Sequence, residues 1–320
     1  MRPLTRARWQ IHFCVVLWGF TAIFGRLITL DAPALVLWRM SIVAGALLLA
    51  PRVWKSLAAL PPRLIAIYAG IGVIVALHWL TFYGAIKLAN ASVAASCLAL
   101  CPVFLAIVEP WIAGRRHRRA ELWLGVLVVP GVVLVVGGTP DAMNGGIAIG
   151  VLSAFFVAVF AALNKRFIHH ADALTVTWIE MTAGALALSA VLSLSGTATP
   201  FVLPDASDTV YLLLLAFGCT LLPFVLALGA LRHLSAFEAQ LAVNLEPVYT
   251  ILLAMLLFGE HHELGPGFYA GVAIILAVVF FPALRARGPA ARSTQGDPAK
   301  QVDSGPDARP ASAPSRKLVD

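Results

Sequence analysis

The sequence predicts an all-α integral membrane protein with ten transmembrane helices, arranged as two inverted five-helix repeats. Three observations lead there. Hydrophobic residues make up 60% of the chain and charged residues 12%, against roughly 25% charged in soluble domains, so polar surface is too scarce to cover a water-soluble globule. Apolar runs recur at the length of about 20 residues that a spanning helix requires. Residues 229–248, GALRHLSAFEAQLAVNLEPV, repeat residues 84–103, GAIKLANASVAASCLALCPV. The register matches Gly84 with Gly229, Ala85 with Ala230, Ala91 with Ala236, Ala94 with Ala239, Leu100 with Leu245, Pro102 with Pro247 and Val103 with Val248. A second stretch pairs Phe20 with Phe160, Ala22 with Ala162, Arg26 with Arg166, Ile28 with Ile168 and Trp38 with Trp178. Duplication of an apolar unit, with Pro at matching points of a spanning helix, marks many secondary transporters.

The spans follow in order. Residues 1–10 form a basic N-terminal segment with Arg2, Arg6 and Arg8, and the first span covers 11–30. Ala32-Pro33-Ala34 resembles a signal-peptide cleavage site, but the apolar run is too long for that and it pairs with the second copy, so it reads as a retained helix. Spans at 32–50, 64–86, 90–113 and 121–138 complete a first repeat at 11–138. Spans at 145–164, 173–194, 209–231, 235–258 and 265–284 make a second repeat at 145–284. Turn chemistry marks the breaks at Pro51, Pro61-Pro62, Gly137-Gly138, Gly145-Gly146, Ser195-Gly196 and Gly265-Pro266-Gly267. Residues 286–320, rich in Pro, Ala, Ser and charge, read as a disordered cytoplasmic tail.

Orientation follows Lys and Arg. With the N-terminus in the cytoplasm, all of the 23 basic residues except Arg26, Arg39 and Lys87 fall inside, and so does the C-terminus. Five helices per copy is an odd number, so the copies lie inverted in an inner (plasma) membrane. The loop after helix 4, RRHRR at 115–119, is then inside, and its counterpart GEHHE at 259–263 is outside. The net charge of +7 lies between apolar runs and acts as a topology signal, not as a nucleic-acid surface.

With this organisation the sequence resembles the drug/metabolite transporter superfamily, specifically its EamA-like family. The residues that carry the resemblance are Leu17-Trp18-Gly19, Arg39, Tyr83-Gly84-Ala85 leading to Pro102-Val103, and Gly229-Ala230 leading to Glu246-Pro247-Val248 and Gly259-Glu260. Gly125 and Gly271 fit small-residue positions of helices 5 and 10. One departure is that Gly114 is followed by Arg115-Arg116, so the acidic residue closing helix 4 survives only as Glu260 in the second copy. The resemblance implies a central cavity enclosed by helices 1–4 and 6–9. Helices 5 and 10 would act as support or as contacts of a homodimer. It also implies transport of small organic solutes, often export of amino acids or related metabolites.

Ionisable groups within a span are costly and mark function by default. Arg39, Glu109, Glu180 and Glu246 lie within spans. Glu246 precedes Pro247, which leaves a backbone carbonyl near Val243 without its donor. Gln240 and Asn244 share a face of the same helix, so a solute or proton site forms there, or else Glu246 is a structural carboxylate paired across helices. Arg39 has the planar fork that clamps a carboxylate; the alternative is an ion pair to Glu246 or Glu180 that fixes packing. Glu109, near Arg115 and Arg116, reads as a satisfied interfacial carboxylate. His78 and Tyr83, with Trp79, line the cavity or form a packed aromatic cluster. Trp18, Phe20 and Trp178 read as wall or interface residues, and His261-His262 sits in an exposed loop where metal binding is a remote alternative. Cys97 and Cys101 share a helical face and read as packing residues.

No phosphate-binding GxxxxGK[ST] segment occurs, so no cofactor is expected and the energy source is a proton gradient or the membrane potential. The expected partners are a small-molecule solute and the lipid bilayer. The alternative class is a membrane-embedded enzyme acting on lipid or isoprenoid substrates; no HExxH or Asp-rich cluster within a span supports it.

Overall fold

The computed structural model describes residues 3–114, 116, 119–194 and 202–286. Among them every regular element is helical. The chain divides into a unit of Met1–Phe281 and a unit of Pro282–Asp320, the latter represented here by the end of the last helix. The tail 287–320, Arg115, His117, Arg118 and the Ser195-Gly196 turn lie outside the described residues.

The first rod is α1 (Pro3–Gly19) followed by α2 (Thr21–Leu27). It starts earlier than the expected residue 11, and Ala7, Ile11, Cys14 and Val15 bury one side of it in the core. In α3 (Ala32–Leu48), Asp31 caps the start by accepting from Ala34 N at 3.0 Å, and Pro33 occupies the first turn, where no donor is missed. Sequence reading placed only a break between the second and third spans. The structure instead forms α4 (Pro51–Ala59), bent by 89° from α3. Its Arg52 and Lys55 are exposed while Val53 is buried, the pattern of a helix lying along an interface.

The chain continues through α5 (Pro62–Leu88), α6 (Ala91–Leu98), α7 (Cys101–Ala113) and α8 (Arg119–Gly137). The second copy supplies α9 (Asn144–Phe167), α10 (Ala173–Leu194), α11 (Ala206–Leu213), a π-helical segment Leu214–Leu221, α12 (Leu222–Leu231), α13 (Ala236–Val243), α14 (Glu246–Phe258) and α15 (Pro266–Ala286).

The α6–α7 pair of one copy and the α13–α14 pair of the other break at equivalent points with the same geometry. Leu100 has φ −79° and ψ −12°, and Leu245 has φ −79° and ψ −16°. Pro102 and Pro247 then fall in the first turn of α7 and α14, where a missing N–H costs nothing. Both helices end on a left-handed glycine, Gly114 at φ 69° and Gly259 at φ 67°, a conformation that side chains resist.

Among the described residues, seven helical stretches are long and apolar enough to cross a membrane, or eight if the bent α3–α4 pair counts as one span. Shorter apolar helices cover Val126–Gly137 and Pro266–Val278, where the fifth and tenth spans were expected. Large apolar side chains face outward, including Trp111, Trp123, Val133, Leu252 and Leu256, as a lipid-facing surface requires.

The most extensive helix contacts join elements of the first copy to elements of the second: α5 with α9 and α10, α7 with α9, α3 with α10, and α1 with α12. Small residues permit the closest approaches. A Cβ on Gly72 would stand 2.2 Å from the Glu180 carbonyl oxygen, and one on Gly184 would stand 2.7 Å from the Gly72 oxygen. Helices α8 and α15 meet through Gly131 and Gly271, where a Cβ on Gly271 would stand 2.5 Å from the Gly131 oxygen. Gly271 thus packs on Gly131 at the point where α15 crosses α8.

Candidate functional site

A cavity of about 130 Å³ opens between the two copies. That is room for several waters or one small solute. Its walls are largely apolar and aromatic, with Trp18, Trp79, Phe82, Phe160 and Phe224 among them. Arg39, His78 and Glu246 from the expected set line it. Tyr83, Glu180 and Asn244 do not, and the Gln240 side chain lies outside what the structure describes.

Arg39 is 1% exposed. Its Nε donates to Thr220 Oγ1 at 2.6 Å, one terminal nitrogen donates to Tyr83 Oη at 2.6 Å, and the other to the Cys219 carbonyl at 3.4 Å. The guanidinium carbon stands 3.7 Å over the Trp79 ring, a cation–π contact. Tyr83 is therefore the anchor of Arg39 and not a wall of the cavity. Gly25 makes this possible, since a Cβ there would sit 2.5 Å from the Tyr83 ring.

Two of the Arg39 acceptors come from the π-helical segment, which sequence reading missed. Pro223 lacks an N–H, so the Cys219 carbonyl one turn back loses its usual α-helical donor, and it accepts from Arg39. Thr220 turns its hydroxyl to the Leu215 carbonyl at 2.6 Å while accepting from Arg39. Pro223 inside an expected span was the available signal: a proline in a membrane helix leaves a carbonyl for another donor.

Glu246 is 7% exposed and borders the same cavity. No described residue hydrogen-bonds to it or forms an ion pair with it; the ion pairs among the described residues involve Arg8, Arg26, Glu238, Glu260 and Glu263. The ion pairs from Arg39 to Glu246 or Glu180, one of the sequence alternatives, do not form in this state. Arg39 is held by neutral groups, and the two opposite charges face one cavity without closing on each other.

Asn244 has a different task. Its Nδ2 donates to the Ala99 carbonyl at 3.1 Å, fastening the helix break of one copy to that of the other. His78 Nδ1 lies 2.7 Å from Ser153 Oγ, and that hydroxyl donates to the His78 carbonyl at 3.0 Å. The hydroxyl proton being used, Nδ1 carries the ring proton and Nε2 stays an acceptor, an assignment that rests on the bonding network. The His78 ring also packs against Phe82 and Phe160. Thr21 and Asn164 were not among the expected residues; both line the cavity, and Thr21 Oγ1 and Asn164 Oδ1 have no partner.

The two ends of the bundle are built differently. At one end Glu260, fully buried, accepts from Ala91 N at 3.1 Å and Ser92 N at 2.8 Å, and pairs with Arg26. An acid at the start of α6 answers the positive end of that helix. Asn90 adds a bond to Glu263 at 3.0 Å. The equivalent helix start in the second copy, α13, is served by its own Ser235 and Glu238, which bond reciprocally at 3.0 Å. At the opposite end, Lys165 donates to the Leu231 and Leu234 carbonyls at 2.6 Å, and Arg232 to the Ala171 carbonyl at 2.5 Å.

Cys14, Cys97, Cys101 and Cys219 are free and buried, as expected of packing residues. His261 and His262 stack on each other with centroids 3.9 Å apart.

Comparison with known proteins adds the lineage. No curated protein matches the chain. A solved crystal structure shares its fold with a TM-score of 0.62 at 18% identity, over 88% of this chain and 99% of that one. The model of the EamA-like transporter family matches residues 9–137 and 144–283. Matched along both halves, the chain belongs to the EamA-like transporter family.

Proposed function

We propose that the protein is a secondary transporter that moves small zwitterionic metabolites, of the apolar amino-acid type, by alternating access. The carrying observation is the placement of Arg39 and Glu246 on one aromatic cavity without an ion pair between them. A solute carboxylate has the two Arg39 N–H groups that Thr220, Tyr83 and Cys219 leave unused, and a solute ammonium has Glu246. Trp18, Trp79, Phe82 and Phe160 offer an apolar side chain its contacts. Such a solute gives each buried charge a partner at once, which offsets the cost of desolvating its own two charges, whereas a singly charged analogue would leave one protein charge unpaired.

The ten-helix, inverted-repeat arrangement belongs to the same reading. It is supported by the paired helix breaks, the two left-handed glycines and the short apolar helices at the fifth and tenth positions. Both termini are placed in the cytoplasm, the membrane is the plasma membrane, and export is powered by protons or the membrane potential. Members of the family are transporters, so the alternative of a membrane-embedded enzyme is not favoured.

The test is flux of radiolabelled phenylalanine and leucine into proteoliposomes. Saturable uptake that competes with other apolar amino acids supports the reading. Absence of uptake for every zwitterion tried overturns it.

A further inference from the structure

Glu180 is the charge that the cavity does not use. It is fully buried in α10, and neither carboxyl oxygen has a hydrogen-bond partner. The side-chain amide of Asn164 in α9 faces it, and Asn164 Oδ1 also lacks a donor. Asn164 in turn lines the solute cavity. Acceptor oxygens from two helices are thus collected at one buried spot, with no cation to serve them.

The neighbours do not supply one. Tyr68 of α5 is a titratable group that feels the Glu180 charge, and its hydroxyl is spent on the Phe167 carbonyl at 2.7 Å. Arg39 of α3 is committed to Thr220, Tyr83 and Cys219. Lys165 and Arg166 of α9 are turned to carbonyls at the helix end, Arg232 beyond α12 donates to Ala171, and Arg52 and Lys55 of α4 are exposed. Backbone packing holds the site shut, because Gly72 lets α5 lie directly on the Glu180 backbone. An ionised carboxylate in such a place, with no cation and only the Asn164 amide beside it, is among the costliest burials a protein can make. A carboxyl that keeps its proton avoids the cost and gains an O–H donor.

We propose that Glu180 is the proton site of the transport cycle, protonated in this state and connected to the solute cavity through Asn164. The inference rests on the transport reading and separates two roles: Glu246 faces the solute, and Glu180 faces only Asn164. In the exchange step the Glu180 O–H bond breaks, the proton passes to solvent entering the cavity, and the carboxylate is left hydrated. Reprotonation from the opposite side restores the neutral carboxyl before α5 and α10 close on it again.

Two measurements on the full chain in lipid test this. Infrared spectra at neutral pH should show a protonated-carboxyl C=O band that disappears in Glu180→Gln and moves in Glu180→Asp, the second variant covering a failure of the first to fold. A spectrum unchanged in both overturns the proposal, and this readout needs no solute. In proteoliposomes with radiolabelled phenylalanine, Glu180→Gln should lose pH-gradient-driven accumulation by at least about tenfold while phenylalanine-for-phenylalanine exchange persists. Wild-type accumulation by the Gln variant, or accumulation that follows a sodium gradient instead of pH, overturns it. If the wild-type protein moves no phenylalanine at all, the transport reading fails, and the infrared band still decides whether Glu180 holds a proton.

Discussion

Asn244 donates its side-chain amide to the Ala99 carbonyl at 3.1 Å, and the two residues occupy the same place in the two copies of the duplicated unit. The helix breaks next to Pro102 and Pro247 therefore touch, and one carries the polar side chain that the other lacks. Replacing Asn244 by Ala makes the copies alike there and leaves the Ala99 carbonyl unserved. Interhelical bonds in membrane proteins are worth about 0.6 kcal/mol on average and about 1.7 at most. A lowered thermal midpoint within that range, with weakened solute flux, is the expected result. A variant as stable and as active as wild type would show the contact to be dispensable.

Glu260 ties the end of α14 to α6 by two backbone N–H bonds and to α2 by the Arg26 pair. Glu260→Ala removes all three and should cost about 1–3 kcal/mol, as loss of a charged cap with a partly buried ion pair does. Arg26→Ala should cost less, because the two backbone donors continue to serve the carboxylate. Thermal unfolding of the two variants side by side gives the order, and the reverse order would mean that the ion pair dominates.

Topology is open to a direct assay. A reporter active only in the periplasm should be silent when fused after Arg285 and active when inserted in the Gly259–Glu263 loop. Strong activity after Arg285 would contradict ten spans with both termini inside.

Much of this architecture was legible in the sequence. Duplication gave the matching breaks at Leu100 and Leu245, and hydropathy gave the long apolar helices, seven or eight of them among the described residues. Burial cost pointed to Arg39 and Glu246. Other features depend on which helix faces meet. Tyr83 and Asn244 were expected at the solute site, but Tyr83 anchors Arg39 and Asn244 braces a carbonyl, since polar groups inside a bilayer take whatever partner the fold brings near. The π-helical segment was hidden because its residues are as apolar as those of any span. The helix α4 was hidden by prolines, which read equally well as a break or as a first helical turn.

Arg39→Lys keeps the charge but removes the fork that reaches Thr220, Tyr83 and Cys219 together. Phenylalanine affinity should fall by about tenfold or more, equivalent to about 1.4 kcal/mol, with the protein still folded. Wild-type affinity in the Lys variant would reduce Arg39 to a simple charge.

Simultaneous recognition of both ends of a zwitterion by Arg39 and Glu246 is tested most directly by thermal-shift titration of the purified protein. Phenylalanine should be compared with phenethylamine, which lacks the carboxylate, and with 3-phenylpropionate, which lacks the amine. A ligand present at a hundredfold its dissociation constant adds about 2.7 kcal/mol of apparent stability. Phenylalanine should stabilise the wild type more than either analogue, and Glu246→Gln should abolish its advantage over 3-phenylpropionate. Equal responses to all three ligands, or an undiminished response to phenylalanine in Glu246→Gln, would contradict a zwitterion site between Arg39 and Glu246.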